Sequence, residues 1–383
     1  MKILQVLPFF GPKFGGSYVS LFNISKELSA RGHNVTVITT DYNIDIKHKE
    51  SLEKYGVKVI PFKCIINFGL FLISPSMNNW LENNISYFDI IHLQTSRSYQ
   101  NNVIHKYATK FDIPYILQAR GSLPVNTGKK SFKLIYDMVW GKKLFNDAKK
   151  LIALTQIELE QYKSFGINEE KIEIVANGID LKEFDNLPKK GNFKNKFGIK
   201  ENESLILYLG QIHKVKGIQL LINAFSELLK NEGNVKLAIV GPNSGYLSEL
   251  KKLVKSLNIE NNVIFTGPIY GKYKLEPYVD ADVYVLPSFS EGFPNTILEA
   301  CACGTPVIAT ASCCMADFVN KIGYTINHDE NELKNAILNS LHKNTKESQE
   351  TNIKLLMKDF TLDITAEKIE NIYLKFYRNG GNI

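Results

Sequence analysis

The chain has 383 residues, 44% hydrophobic and 22% charged, with 25 Gly, 13 Pro and a formal charge of +7. That length exceeds the roughly 100–200 residues of one domain and predicts two, and the ordinary globular balance excludes a disordered, collagen-like or disulfide-scaffold chain. The longest apolar stretch, residues 68–73, falls far short of the roughly 20 residues needed to cross a bilayer, so no transmembrane span is expected. Residues 1–8 carry one Lys and a short apolar run, and Gly11-Pro12-Lys13 follows instead of a small-residue cleavage site, which points to a cytoplasmic protein.

Short β-branched runs alternate with helix-length amphipathic segments along the whole chain, the pattern of parallel sheets covered on both faces. In the first half strands are predicted at 2–8, 34–39, 57–60, 90–93, 115–118, 151–153 and 172–175. The loop Gly11-Pro12-Lys13-Phe14-Gly15-Gly16-Ser17 joins the first of these to a helix over 18–31. Its glycines let backbone amides approach a phosphate or sugar at a helix N-terminus, although a tight strand-to-helix turn without a ligand has the same sequence.

The charge is uneven: residues 1–180 hold 22 Lys and Arg against 16 Asp and Glu, and residues 128–150 alone hold seven Lys against two Asp, interleaved with apolar and aromatic residues. This suits a helix with a basic face on anionic lipid, or a solvated helix whose apolar side is core. No recognised nucleic-acid module accompanies the charge, so no nucleic-acid partner is expected.

Residues 176–200 read as a linker, after which the alternation restarts with strands at 205–209, 236–240, 263–266, 283–286 and 307–309 and helices over 217–230, 246–257 and 294–303. A last amphipathic segment covers 362–378. The expected fold class is α/β, with two Rossmann-like domains facing each other across a cleft. Residues 1–180 form the N-terminal domain and 181–360 the C-terminal one, and 361–383 form a helix that packs back toward the first. Four of the five cysteines crowd into 301–314, but neither Cys-x-Cys nor Cys-Cys has zinc-site spacing, so they read as reduced, buried small hydrophobes and no metal is assigned.

Two loops of the second half carry chemistry. In Gly210-Gln211-Ile212-His213-Lys214-Val215-Lys216-Gly217 a lysine precedes a helix start, where a compact cation can neutralise a diphosphate. In 287–300 a strand runs into Ser-Glu-Gly-Phe-Pro-Asn, with Pro294 read as the start of a helix. Glu299 then lies within its first turns, where a carboxylate can accept ribose hydroxyls, and Glu291 lies in the loop, within reach of another part of the same ligand.

Residues 291–310, EGFPNTILEACACGTPVIAT, resemble the E-x7-E donor motif of retaining glycosyltransferases with the GT-B fold, specifically glycosyltransferase family 4. Other segments agree in order: GPKFGGS with that family's N-terminal glycine loop, DIIHLQ (89–94) with its D-x-x-H-x-H strand, NGID (177–180) with its interdomain turn, and GQIHKVKG with its G-R-x-x-x-x-K-G loop. Three departures from the usual pattern stand out: Gln211 stands where Arg is common, Arg120 where many members have His, and the pair Cys313-Cys314 where a Gly-Gly pair is common. Gln118-Ala119-Arg120-Gly121 is similar to a subgroup with Arg-Gly in place of His-Gly.

The resemblance implies a metal-independent hexosyltransferase that moves a sugar from a nucleoside-diphosphate sugar to an acceptor hydroxyl with retention. Lys216 and Gln211 would then meet the diphosphate and Glu299 the ribose. Glu291, Gly292, Phe293 and Asn295 would hold the donor sugar, Gly15 and Gly16 would lie on the opposite wall, and Arg120 would act with Lys216 and Glu291 in catalysis. No cofactor is implied. The family's spread favours a UDP-sugar over a GDP-sugar. The basic segment favours a lipid-linked acceptor, with a saccharide as the other choice, in polysaccharide, O-antigen or glycolipid biosynthesis at the inner face of the membrane. A non-catalytic nucleotide-sugar-binding protein and a GT-B nucleotide-sugar epimerase are the alternatives on the same fold.

Overall fold

Runs such as Ile3-Leu4-Gln5-Val6 and Leu205-Ile206-Leu207-Tyr208 are buried on both faces, which requires sheets covered on both sides. The computed structural model describes residues 1–69, 71–124, 130–342 and 346–377. The chain divides into two units, Met1–Gly178 with Leu362–Ile383, and Ile179–Thr361.

Among the described residues, the first unit contains strands β1 (Lys2–Val6), β2 (Asn34–Thr40), β3 (Lys58–Phe62), β4 (Ile66–Phe68), β5 (Phe71–Ile73), β6 (Ile90–Leu93), β7 (Tyr115–Gln118), β8 (Lys150–Ala153) and β9 (Ile172–Ile174). Seven of them form a parallel sheet in the order β3-β2-β1-β6-β7-β8-β9, and β4 and β5 form a separate antiparallel hairpin. Alternation along β1 sends Leu4 and Val6 to one core and Ile3 to the other. The second core also takes Leu362, Ile369, Ile372 and Tyr373 from the helix Leu362–Phe376, so the end of the chain closes the face built by its beginning.

The second unit contains β10 (Ser204–Leu209), β11 (Val235–Val240), β12 (Val263–Gly267), β13 (Val283–Leu286), β14 (Val307–Thr310) and β15 (Gly323–Ile326), in the parallel order β12-β11-β10-β13-β14-β15. In both sheets the direction of strand addition reverses beside the first strand, and in such folds ligands bind outside the carboxyl ends of the strands at that switch point.

The linker expectation for 176–200 is corrected. Phe193 is fully buried in the second unit, and both Asp280 oxygens accept backbone amides, from Gly191 at 2.5 Å and Lys194 at 2.8 Å. Polar composition misled there because a buried carboxylate, not apolar periodicity, anchors the segment. Pro294 is likewise corrected: it has extended backbone (φ −82°, ψ 94°) and precedes the helix Asn295–Ala302 instead of opening it. The hairpin β4–β5 and the strand β15 carry no expectation: β4 is exposed throughout and β15 opens on glycine, so neither shows the buried β-branched run of the other sheet strands. Cys301, Cys303 and Cys313 are buried free thiols and Cys314 is a half-buried one.

Candidate functional site

The switch point of the second sheet lies between β10 and β13, and the loops that leave these two strands meet. Tyr208 donates its hydroxyl to the Gln211 carbonyl at 2.8 Å, and the His213 ring accepts from the Val215 amide at 3.2 Å, which shapes the tight turn Lys214–Lys216. Gly217 follows in the left-handed region, at φ +64°. A Cβ at this position would lie 2.0 Å from the Pro287 carbonyl oxygen, so only glycine lets the two loops approach this closely. The Phe289 amide then donates to the Val215 carbonyl at 2.9 Å.

This contact brings Lys216 to Glu291. The Lys216 Nζ lies 2.7 Å from Glu291 Oε1, and Ser288 Oγ donates to the same oxygen at 2.6 Å. Ser288 is itself fixed, its carbonyl accepting from Thr310 Oγ1 at 2.5 Å with His328 Nε2 at 3.1 Å. The His328 ring stacks on Phe289 at 4.6 Å. Cys314 Sγ lies 2.7 Å from the Glu291 carbonyl oxygen. Gln211 is half-buried in the same loop as Lys216.

The helix Asn295–Ala302 has no side-chain cap at its N-terminus, and the first amides of any helix lack intrahelical partners. Glu299, on the helix, is buried with both oxygens engaged: Lys274 Nζ lies 2.5 Å from Oε1, and the Tyr278 hydroxyl donates to Oε2 at 3.0 Å. Burial and the Glu299 carboxylate hold the Tyr278 phenol well above its ordinary range, so it stays a donor. Of the remaining residues expected here, Gly292 and Asn295 are half-buried, while the Phe293 ring packs toward Phe360 at 6.2 Å. A second lysine–glutamate pair was not visible in the sequence. Lys274 and Tyr278 share only the i, i+4 spacing that places both near Glu299.

The other expected residues lie in the first unit. Gly15 caps the helix Gly16–Ala30 at φ 77°, again without a side-chain cap. Arg120, at φ 51°, donates from Nη1 to Asn177 Oδ1 at 2.8 Å and from Nε to Gln94 Oε1. Gln94 donates in turn to Gln5 Oε1 at 2.5 Å, and Gln5 donates to the Tyr373 hydroxyl at 3.0 Å, which also lies 2.7 Å from His92 Nδ1. Burial pulls the Arg120 guanidinium down to about 10, against an opposing attraction from Glu158, so it remains a cation and no base at neutral pH. Glu158 accepts the Gly121 amide at 2.6 Å and the Leu154 amide at 2.7 Å, and burial raises its carboxyl against those bonds and Arg120. Gln94 closes the DIIHLQ segment and Asn177 opens NGID, whereas Tyr373, nearly two hundred residues further on, carries no local signal.

Among the described residues, no three His, Cys, Asp or Glu side chains are grouped as metal ligands, and no helix is long and apolar enough to cross a membrane. Residues 189–354 match the family model for glycosyl transferases group 1, and residues 14–183 match the model for glycosyltransferase family 4. An uncharacterized glycosyltransferase of Methanocaldococcus jannaschii is 27% identical over 320 residues, 81% of this chain and 80% of its own length. The alpha-monoglucosyldiacylglycerol synthase of Streptococcus pneumoniae is 27% identical over 397 residues, 98% of this chain and 85% of its own. Anabaena HepE in complex with UDP superposes with a TM-score of 0.80 at 20% identity, over 98% of this chain and 100% of that one. WaaG, a glycosyltransferase of lipopolysaccharide biosynthesis, does so with a TM-score of 0.72 at 21% identity, over 99% and 100%. The structural likeness is one of fold and shows the GT-B architecture; the two family models together run through both units, and the chain therefore belongs to glycosyltransferase family 4.

Proposed function

We propose that this glycosyltransferase is a metal-independent hexosyltransferase that moves a sugar from UDP to an acceptor hydroxyl with retention at the anomeric carbon. The observation that carries the reading is the pair of lysine–glutamate contacts in the second unit, Lys216 with Glu291 at the β10/β13 switch point and Lys274 with Glu299 on the helix that follows β13. A diphosphate, with two charges and many acceptor oxygens, competes with Glu291 for the Lys216 ammonium and frees that carboxylate to accept hydroxyls of the donor sugar. The uncapped N-terminus of helix Asn295–Ala302 adds amides beside Gly292 and Asn295, and Glu299 takes the ribose hydroxyls. Gly15 and Gly16, at a further uncapped helix start, and the Arg120 cation act on the donor or acceptor from the first unit. No side chain is assigned as nucleophile. The departing diphosphate oxygen accepts the acceptor proton on the face it leaves, and stabilisation of that oxygen by Lys216 supplies most of the acceleration.

The donor reading is supported by HepE, solved with UDP and with UDP-glucose. The pneumococcal relative is named for a glucosylated diacylglycerol and WaaG for lipopolysaccharide biosynthesis, which supports a lipid-linked acceptor over a free saccharide. Glycolipid, O-antigen or polysaccharide assembly at the cytoplasmic face of an anionic membrane belongs to the same reading. The test is turnover of a panel of UDP- and GDP-hexoses with lipid acceptors, followed by NMR of the product anomer. UDP-hexose consumption should persist in EDTA, keep the donor's anomeric configuration and fall about 100-fold or more in Lys216→Ala. Chelator-sensitive turnover, an inverted product, or a donor epimerised without acceptor would each defeat it.

A further inference from the structure

The segment that the sequence leaves open between a lipid-facing and a core-facing helix has its apolar residues outside. Along the helix Lys130–Tyr136 and the π-helical stretch Asp137–Gly141, Phe132, Leu134, Ile135, Met138, Val139 and Trp140 are all exposed, Met138 at 83% and Ile135 at 60%. The widened π turn places three successive large side chains outside. What faces inward is small or anchored. Tyr136 donates to Asn102 Oδ1 at 2.6 Å, Asp137 is gripped by the Arg97 guanidinium at 2.7 Å from two nitrogens, and Gly141 is buried.

The hairpin β4–β5 extends this surface. Phe68 pairs with Phe71 and Ile66 with Ile73, and opposed residues of an antiparallel pair share a face. On that face the Phe71 ring lies 5.3 Å from Phe132 and 6.1 Å from Tyr136, so the hairpin adjoins the helix. Phe68 is 60% exposed, and Ile66 is exposed beside it. A contiguous apolar patch built from two elements marks a site that something apolar covers.

The charges say what covers it. Asp137 is paired with Arg97, and Asp147 is paired with His105 at 2.7 Å, so both acids of the segment are engaged. Lys142, Lys143 and Lys149 stay exposed on the following turns, and Lys63 is exposed next to the hairpin. Lys129 lies outside the described residues. An apolar centre with a cationic rim is complementary to acyl chains beneath anionic headgroups. We propose that the helix 130–141 and the hairpin β4–β5 insert together into an anionic lipid leaflet, with Phe68, Ile135, Met138 and Trp140 below the headgroups and the lysines among them. This deepens the lipid-acceptor reading and needs none of the catalytic roles assigned above.

The chain holds two tryptophans, and Trp80 packs against the interior of the first unit, its ring 5.6 Å from Phe62. In a Trp80→Phe background Trp140 is therefore a native reporter. With vesicles of phosphatidylcholine and phosphatidylglycerol, the protein should sediment, Trp140 emission should shift to the blue, and brominated acyl chains should quench it. Ile135→Asp and Phe68→Asp should each weaken partitioning about tenfold or more, while UDP affinity, measured by calorimetry, stays unchanged and certifies the fold. Sedimentation without a Trp140 shift would mean headgroup adsorption alone and overturn insertion. A null effect of Phe68→Asp would remove the hairpin. Absence of vesicle binding, together with a dimer that Ile135→Asp dissolves, would assign the patch to a second copy of the chain. Failure of UDP binding in the parent protein would instead strike the donor reading and leave the vesicle result standing.

Discussion

Glu299 shows how a residue can be found from its spacing while its chemistry is not. The E-x7-E interval singles it out, but its two oxygens are held by Lys274 and Tyr278, so a ribose bound there as proposed would have to share or displace those donors. Glu299→Gln is expected to weaken UDP binding by about 1.5–3 kcal/mol, since an amide offers one acceptor where the carboxylate offers two charged ones. Lys274→Met separates the possible causes. If Lys274 orients the carboxylate, affinity falls in this variant too; if Lys274 only blocks the site, affinity rises. Calorimetry with UDP reads both, and unchanged affinity in Glu299→Gln would remove the residue from the donor site. Lys216 was legible because it stands one residue before the glycine that opens a helix. Lys274 was one of 46 basic residues with nothing local to single it out. Arg120 was legible as a departure from the family's usual histidine, but its engagement by Gln94 and Asn177 depends on strands and turns far apart in the chain.

At the scale of elements, the proposed donor side is two loops pressed together rather than two loops that happen to be neighbours. Gly217 is the point of closest approach, in a left-handed conformation with the Pro287 carbonyl where a side chain would stand. Gly217→Ala is expected to cost about 1–2 kcal/mol from the backbone conformation alone. Displacing the Pro287 carbonyl adds to that and parts Lys216 from Glu291. Thermal unfolding should show the loss of stability and calorimetry a drop in UDP affinity of about tenfold or more. A variant with wild-type melting and binding would show that the loops have room the geometry denies. The same scale explains the misjudged helix start. Proline is favoured at the first helical position, but Pro294 holds the extended conformation that turns the chain from β13 into the helix, so periodicity located the element to within one residue and not its cap.

At the scale of the chain, the first unit is finished by its last helix. Arg31, after the helix Gly16–Ala30, bonds Glu370 at 3.0 Å and also Asp363, while His33 lies 2.7 Å from the other Glu370 oxygen. Burial alone would raise the Glu370 carboxyl, but the hydrogen bonds from His33 and Arg31 outweigh it and hold it below the ordinary range. Glu370→Gln is expected to cost about 1 kcal/mol, limited by solvent around the pair. A carboxyl whose folded value is depressed stabilises at pH above its unfolded value, and that contribution disappears as the pH falls through the folded one. The gap between wild type and variant in denaturant unfolding should therefore stay constant near neutrality and close as the pH drops below about 4.3. A gap that widens on acidification would show that the docking does not depend on this carboxylate.

The sequence by itself determined the fold class, the two parallel sheets and the donor motif, because each is written in contiguous residues: buried strands as apolar runs, helix starts as glycine and proline signals, and Glu291 and Glu299 at one fixed interval. Periodicity cannot register a hairpin of two three-residue strands such as β4–β5, one of them exposed throughout, nor a turn anchored by a single carboxylate such as Asp280 beneath residues 191–194. It also cannot say which side of an amphipathic segment is buried when both sides carry large apolar residues. For residues 130–141 only tertiary packing decided that: Tyr136 and Asp137 found partners on the helix Tyr99–Lys110 and at Arg97, and the rest of the apolar surface was turned outward.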